Sequence, residues 1–174
     1  MDDLVAGLKA GDPAAFESLV RGFGDRLYRF VRRLVGERWA DDLTQDVLLR
    51  VYRTIGSYRP IGRFEAWVYT VANNVCVDFL RRRRPEAPLS DVAHEVAGRS
   101  PLERIEDDER RDALLKAVEG LPADQKQVFL LREEGGLSFK EISDVLGCPL
   151  NTALGRMHYA MEHLRKALKA YGMR

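Results

Sequence analysis

The chain contains 174 residues, of which 45% are hydrophobic and 32% are charged. This composition can bury a core and excludes disordered and fibrous proteins, and the length fits one ordinary domain or two small ones. The net charge of +1 gives no overall sign of a polyanionic partner.

The sequence also argues against export, membrane insertion and disulfide or zinc scaffolds. The opening MDDLVAGLKAGDP has no basic flank, and the chain has no apolar run of about 18 residues, so we expect a cytoplasmic protein without membrane insertion. Its two cysteines, Cys76 and Cys148, lie far apart and belong to no CxxC or CxxH pattern. We therefore expect two reduced thiols and no structural metal.

The first half of the chain has the pattern of packed helices. Across 13–84 the apolar residues recur every three or four positions, and alternating β-branched runs are absent. Asp12, followed by proline, is a typical helix start and Gly36 a typical stop. Further apolar stripes over 43–55 and 64–82 predict two more helices, and three such stripes can bury one another.

The segment from residue 83 to about residue 105 is predicted to be a linker. It contains three prolines and several acids without sustained periodicity. Residues 1–84 carry 15 basic and 11 acidic side chains, residues 85–112 carry 4 and 9, and residues 113–174 carry 9 and 7. Two mildly basic blocks are thus joined by an acidic one. We expect two domains, at 1–84 and 109–174, with a flexible acidic linker at 85–108.

The second block begins with two predicted helices, one ending at Gly120 and one opened by Pro122 and stopped by two glycines. Ser138 and Glu141 then form an S-x-x-E capping box for a short helix. A turn and a long helix to about Ala170 follow. This arrangement is typical of a helix-turn-helix, although spacing alone also allows an ordinary αα-hairpin.

These stretches together resemble one protein family. They are AAFESLV, ADDLTQDVLLRVYRTIGSYR and FEAWVYTVANNVCVDFLRRRR in the first block, and Val118 to Pro122 with QKQVFLLREEGGLSFKEISDVLGCP in the second. In order and spacing the chain resembles bacterial sigma factors of the extracytoplasmic-function group of the sigma-70 family, which keep only the second and fourth conserved regions. The resemblance implies an all-α, two-domain protein that binds core RNA polymerase, recognises a promoter and helps to open it.

The resemblance implies a polymerase-binding surface on the second predicted helix. There, a polar stripe with one leucine lies opposite the apolar positions. The simplest alternative is that this stripe is a solvent-exposed helix face without a partner. Carboxylates, an amide and a leucine suit a partner helix better than a phosphate backbone, which favours the interface. The candidate polymerase-binding residues are Asp41, Asp42, Gln45, Asp46, Leu49, Arg50 and Arg53.

The third predicted helix is the expected site of contact with the −10 element. Unstacked bases need aromatic faces and amide edges to receive them, and terminal arginines can neutralise phosphates. Phe64 and Trp67 lie on the apolar stripe, so we expect them to serve mainly as core, whereas Arg63, Tyr69 and Asn73 lie nearer the polar side. The candidate −10 residues are Arg63, Trp67, Tyr69, Asn73, Asn74, Arg81 and Arg82.

The long helix is the expected −35 recognition helix, and it is less basic than the family pattern. We expect Arg156 to reach guanine or phosphate. A glycine inside a helix costs about 1 kcal/mol relative to alanine, so Gly155 indicates close approach to DNA or to another helix. The candidate −35 residues are Ser138, Lys140, Asn151, Thr152, Gly155, Arg156 and Tyr159.

Two further regions point to protein partners. Leu154 and Met161 widen the apolar stripe of the long helix, which suggests contact with the first domain or with an anti-sigma factor. The acidic linker is either a solvated tether or, as the family implies, a segment threaded towards the RNA exit path of the polymerase.

Other functions fit the sequence less well. His158, Glu162 and His163 lack a third ligand, so we expect no metal, and no phosphate loop or nucleophile motif indicates a cofactor, a small-molecule substrate or an enzyme. The alternatives are a dimeric helix-turn-helix regulator that does not bind core polymerase and a protein-only interaction module. The stripe from Asp42 to Arg53 argues against the regulator.

Overall fold

The computed structural model describes residues 1–60, 62–83 and 105–170, and in these residues it contains helices and no strand. The all-α fold class is therefore confirmed. The helices are α1 (Asp2–Ala10), α2 (Pro13–Val35), α3 (Glu37–Thr54), α4 (Phe64–Arg83), α5 (Ile105–Glu119), α6 (Ala123–Glu133), α7 (Phe139–Leu146) and α8 (Leu150–Ala170), with a 3₁₀ turn at Ile55–Ser57 after α3.

The first four helices form a bundle in which α2 packs along both α3 and α4. As predicted, Asp12 caps α2, its carboxylate accepting a hydrogen bond from the Ala14 N–H, with Pro13 as the first helical residue. Gly36, at φ 90°, allows α3 to start directly after α2. Helix α1, which was not predicted from the sequence, packs against α2 and buries Leu8.

The last four helices form the second bundle, and α7 and α8 make the predicted helix-turn-helix. Ser138 and Glu141 form the predicted capping box at the start of α7. Gly147, in the left-handed conformation at φ 59°, ends α7. Helix α8 packs against α5, α6 and α7, so its buried side is fixed by all three helices.

The two bundles pack against each other. Helix α2 contacts α6 and helix α4 contacts α7, and the buried apolar residues of both bundles form one continuous cluster. Residues 105–108 of the predicted linker belong to α5, and the rest of the linker lies outside the described residues. None of the described helices is long and apolar enough to cross a membrane.

Candidate interaction surfaces

The predicted stripe on α3 faces outward. Its buried side is formed by Ala40, Thr44, Val47, Leu48 and Val51. On the opposite side all seven candidate polymerase-binding residues are exposed, and Leu49 keeps 41% of its surface accessible. None of the ion pairs formed by the described residues involves this stripe. The charges and the leucine are thus available to a partner.

Helix α4 presents part of the candidate −10 set to solvent. Arg63 immediately precedes the helix, and Arg63, Asn74, Arg81 and Arg82 are exposed. The last turn contains three consecutive arginines, which the negative end of the helix dipole favours. This end of α4 is therefore a compact basic surface.

Tyr69 and Asn73 are buried, contrary to the prediction from the sequence. Both were expected near the solvated side of α4, but Tyr69 has no exposed surface and Asn73 only 5%. The second bundle covers this side of α4. The Tyr69 hydroxyl donates to the Glu134 carbonyl at 2.7 Å, and the Gln127 amide donates to Asn73 Oδ1 at 3.2 Å. Burial raises the pKa of Tyr69 to about 12, so its hydroxyl is a proton donor at neutral pH.

The aromatic residues at the start of α4 form a small cluster. Phe64 is buried, as expected, and its ring lies 5.8 Å from the ring of Trp67. Tyr58 closes the cluster, with its ring 5.3 Å from that of Trp67. Trp67 is only half-buried, so one part of its ring packs on the core and another part remains accessible.

The helix-turn-helix carries the candidate −35 residues at its surface. Ser138, Lys140, Asn151, Thr152 and Tyr159 are exposed, and the Tyr159 side chain keeps 57% of its surface accessible. Ser138 also holds Glu141 in the capping box. Burial alone would raise the pKa of Glu141, but hydrogen bonds from Ser138 and the charge of nearby Arg63 lower it.

The surroundings of Arg156 and Gly155 on α8 differ from those expected from the sequence. The Arg156 guanidinium is paired with Asp124, with Nε 3.2 Å from Oδ2, so it is not free in this arrangement. A Cβ added to Gly155 would meet no atom of the described residues within 4 Å, which argues against close packing of another described helix as the reason for the glycine. Leu154 and Met161 remain 41% and 42% exposed, so the first bundle does not cover them.

The described residues contain no group of three or more His, Cys, Asp or Glu side chains arranged to hold a metal. His163 Nδ1 lies 2.7 Å from Gln125 Oε1, and His158 lies 3.9 Å from Glu162. Each of these histidines thus has its own local neighbour, and they do not converge on one point.

The residues that join the two bundles were not predicted from the sequence to do so. On the second bundle these are Gln127 and the turn Glu134–Gly136, which we call the glycine turn. On the first bundle they include the arginines at positions 26, 29 and 33 of α2, whose three-and-four spacing places them on one face. That spacing was a readable signal, but nothing in the sequence indicated which partner the arginines meet.

Comparisons with family models match both bundles. The model of sigma-70 region 2 matches residues 19–86, and the model of sigma-70 region 4 matches residues 111–164. The chain is 38% identical over 166 residues to the ECF RNA polymerase sigma factor SigE of Mycolicibacterium smegmatis, spanning 91% of this chain and 64% of that relative. It is 33% identical over 178 residues to the RNA polymerase sigma-H factor of Pseudomonas aeruginosa, spanning 95% of this chain and 92% of that relative.

Two solved structures share the fold. CnrH in complex with the cytosolic domain of CnrY is 23% identical with a TM-score of 0.71, and the alignment covers 96% of both chains. The sigma factor RpoE in complex with the anti-sigma factor NepR from Bartonella quintana is 24% identical with a TM-score of 0.66, covering 88% of this chain and 96% of that one. The chain is thus similar to these two structures in its helical fold.

Proposed function

The chain belongs to the extracytoplasmic-function group of the sigma-70 family of RNA polymerase sigma factors, and from this premise we propose that it binds core RNA polymerase, directs it to promoters through −10 and −35 elements and promotes DNA opening. The proposal makes it a cytoplasmic initiation factor without catalytic chemistry or cofactor of its own. Residues 1–84 would carry polymerase binding and −10 contact, and residues 109–174 would carry −35 contact.

The α3 stripe is the observation that carries the polymerase-binding part. It combines exposed charges of both signs with an exposed leucine, on a helix whose opposite side is packed into the bundle. A helix of the polymerase could lay its own apolar and charged residues along this stripe, and the charge pattern would fix its register.

The test is binding to purified core polymerase, comparing the intact chain with an Asp46→Ala, Arg53→Ala double variant. Truncation of interface charges and their contacts is expected to lower affinity at least about tenfold. The matched control is an Arg21→Ala, Asp25→Ala double variant, which removes one exposed basic and one exposed acidic side chain from α2. Equal affinity of all three chains would reject the stripe as the interface.

The −10 part of the proposal is supported by the combination of a half-buried tryptophan, amides and arginines along α4. Accessible aromatic surface can stack on an extruded base, an amide can read its edge, and the terminal arginines can hold the phosphates. We propose that Asn74 contacts a base and that Arg81 and Arg82 contact phosphates. Binding of the holoenzyme to a fork-shaped promoter should lose sequence discrimination in Asn74→Ala, whereas Arg82→Ala should weaken all sequences and reduce the salt dependence.

The −35 part of the proposal is supported by the capped helix-turn-helix and its exposed polar residues. We propose that Asn151, Thr152 and Tyr159 face the major groove and that Arg156 leaves Asp124 to contact DNA. An exposed ion pair contributes only about 0–1 kcal/mol, so exchanging it for a phosphate or guanine contact costs little. Arg156→Ala should weaken binding to a −35 duplex, and an unchanged affinity would remove Arg156 from the proposed interface.

We also propose that an anti-sigma factor binds the exposed apolar surface of the second bundle. Leu114, Phe129, Met161 and Leu168 line a groove between α5, α6 and α8, and Leu154 is an exposed apolar residue two turns before Met161 on α8. A contiguous exposed apolar patch is typical of a protein-binding site. Leu154→Lys should weaken binding of such a partner while preserving the thermal midpoint, and unchanged partner affinity would exclude Leu154 from that site.

A further inference from the structure

One corner of the first bundle, where the end of α2, the start of α3 and the end of α4 meet, is strongly basic. The last turn of α2, the first turn of α3 and the last turn of α4 contribute Arg32, Arg33, Arg38, Arg81, Arg82 and Arg83. The acidic residue of these turns is Glu37. All of these arginines except the half-buried Arg33 are exposed. The corner therefore presents an excess of positive charge to solvent.

Trp39 lies within this corner, with arginines over its ring. The ring is half-buried and its centre is 5.4 Å from that of Phe79, a contact that joins the start of α3 to the end of α4. Arg38 Cζ lies 4.9 Å and Arg83 Cζ 5.0 Å from the centre of the Trp39 ring. We call Arg38, Trp39, Phe79 and Arg83 the arginine–tryptophan cluster. The negative face of an aromatic ring attracts a guanidinium, so Trp39 gathers two cations that repel each other.

The two guanidiniums of the cluster are not neutralised by carboxylates. None of the ion pairs among the described residues includes Arg38 or Arg83, although Glu37 and Asp78 lie nearby in sequence. An aromatic ring contacts the face of a guanidinium and leaves its N–H edges, which match two oxygens of a phosphate. The cluster therefore has the chemistry of a phosphate-binding site.

The position of the cluster along α4 indicates which phosphates it can meet. Trp67, near the start of α4, is the aromatic residue proposed above to stack on an extruded base of the −10 element. Arg83 lies about 16 positions further along the helix, which is about 24 Å at 1.5 Å per residue. Successive base pairs of a duplex are about 3.4 Å apart, so this length corresponds to about 7 base pairs. DNA that keeps one base at Trp67 and follows α4 therefore brings the phosphates of closed duplex to the cluster.

We propose that the arginine–tryptophan cluster binds the phosphate backbone of closed duplex DNA, about 7 base pairs upstream of the base at Trp67. The inference rests on the proposed −10 function, because that function sets the path of the DNA along α4. Arg38 and Arg83 contact the phosphates, and Trp39 is a positioning residue that holds both guanidiniums. The site adds affinity without sequence preference. It also brings DNA to the start of α3, the helix whose opposite end is proposed to bind polymerase.

The test measures binding of the holoenzyme to two fork-shaped promoters that share a single-stranded −10 segment and lack a −35 element. Their upstream duplex arms are about 4 and about 12 base pairs long, so only the longer arm reaches the cluster. The variants are Arg38→Ala, which changes an exposed side chain, and Trp39→Leu, which keeps the net charge and an apolar contact with Phe79. The matched controls are Trp39→Phe, which keeps an aromatic ring, and Arg21→Ala, which removes an exposed arginine from the middle of α2.

We expect the parent holoenzyme to bind the longer arm roughly tenfold more tightly at low salt, since neutralised phosphates release counterions. Arg38→Ala should lose most of this gain and reduce the salt slope on the longer arm by about 1. Trp39→Leu should also lose most of the gain although its charge is unchanged, whereas Trp39→Phe and Arg21→Ala should keep it. A neutral methylphosphonate at the contacted phosphate should weaken binding of the parent and leave that of Arg38→Ala unchanged.

Other results would overturn the proposal, and they separate it from the function on which it rests. An Arg38→Ala holoenzyme that keeps the full gain would exclude the cluster as a DNA site. An equal loss on both arms, with weaker binding to core polymerase, would instead make the cluster part of the polymerase interface. A parent holoenzyme that binds both arms equally but discriminates −10 sequences would refute the cluster and leave the sigma function standing. A parent that fails to discriminate −10 sequences on either arm would refute the proposed function itself.

Discussion

Replacing Gly155 by alanine should stabilise the protein and weaken its binding to −35 DNA. Gly155 lies inside α8, and an added Cβ meets no atom within 4 Å, so alanine fits the folded chain without a clash. Alanine exceeds glycine in helix propensity by about 0.8–1.0 kcal/mol. For a chain of this length, this free energy corresponds to a rise of about 2–4 °C in the thermal midpoint.

The expected loss of DNA binding has a different origin. If the backbone of α8 approaches DNA at Gly155, a methyl group at this position displaces it and weakens a contact worth about 1 kcal/mol, or roughly fivefold in affinity. Calorimetry and anisotropy of a labelled −35 duplex measure the two effects. Gly22→Ala is the matched control, because Gly22 lies inside α2 and its added Cβ also meets nothing within 4 Å.

Gly22→Ala should therefore raise the thermal midpoint by a similar amount and leave DNA affinity unchanged. A Gly155→Ala chain that is more stable and binds the duplex as tightly as the parent would refute close approach of DNA to this backbone. A chain that is less stable would instead refute the open surroundings of Gly155.

Three further predictions concern titration and reactivity. Glu141→Gln should lower the stability of the chain at pH 7 but not in acid. The pKa of Glu141 is lowered from 4.5 in the folded chain, so the stabilisation by its charge is present above that value and disappears as pH falls through the folded pKa. Urea midpoints of both chains at each pH measure this difference. Lys126→Met should be more stable than the parent at pH 7, by at most about 3 kcal/mol, because burial lowers the pKa of Lys126 to about 8. Between pH 8 and 10.5 the unfolded parent holds more protons than the folded parent, so the parent gains stability as pH rises and the advantage of the variant should shrink. A constant difference across that range would contradict this assignment. Iodoacetamide at pH 8 should modify Cys148 and spare the buried Cys76, and mass spectrometry of the native chain that finds modified Cys76 would contradict its burial.

The sequence predicted most helices because their apolar residues recur at helical spacing and their ends carry specific caps. Asp12 with Pro13 and Ser138 with Glu141 are bonded as their residue types indicated. Helix α1 escaped prediction because it has nine residues and buries only Leu8, which leaves too short an apolar stripe to recognise. Helix α3 begins at Glu37, six residues before the first apolar position recognised in the sequence, Leu43. This early start was not predicted, because Ala40 is too small to mark an apolar stripe although it is completely buried.

The candidate surfaces were harder to predict because periodicity identifies one side of a helix but not what covers it. The α3 stripe is exposed because none of the described helices packs on that side. Tyr69 was assigned to a similar polar side of α4 and is fully buried, because the glycine turn supplies an acceptor for its hydroxyl. The partner of Tyr69 is 65 residues away in sequence, a separation at which local spacing carries no information.

The two candidate DNA surfaces differ in exposure in this structure, and this difference sets an order for their use. Asn151, Thr152 and Tyr159 of the candidate −35 residues are exposed, whereas Tyr69 and Asn73 of the candidate −10 residues are covered by the second bundle. A closed chain could therefore meet duplex −35 DNA before it can receive a −10 strand. Separating the two bundles with Glu134→Arg, which breaks the ion pairs with Arg29 and Arg33, should then leave −35 duplex affinity nearly unchanged while it strengthens binding of the −10 strand. Equal strengthening of both would mean that the new positive charge adds a general attraction for nucleic acid. Gln127→Ala, which removes the hydrogen bond to Asn73 and adds no charge, decides between separation of the bundles and simple electrostatics.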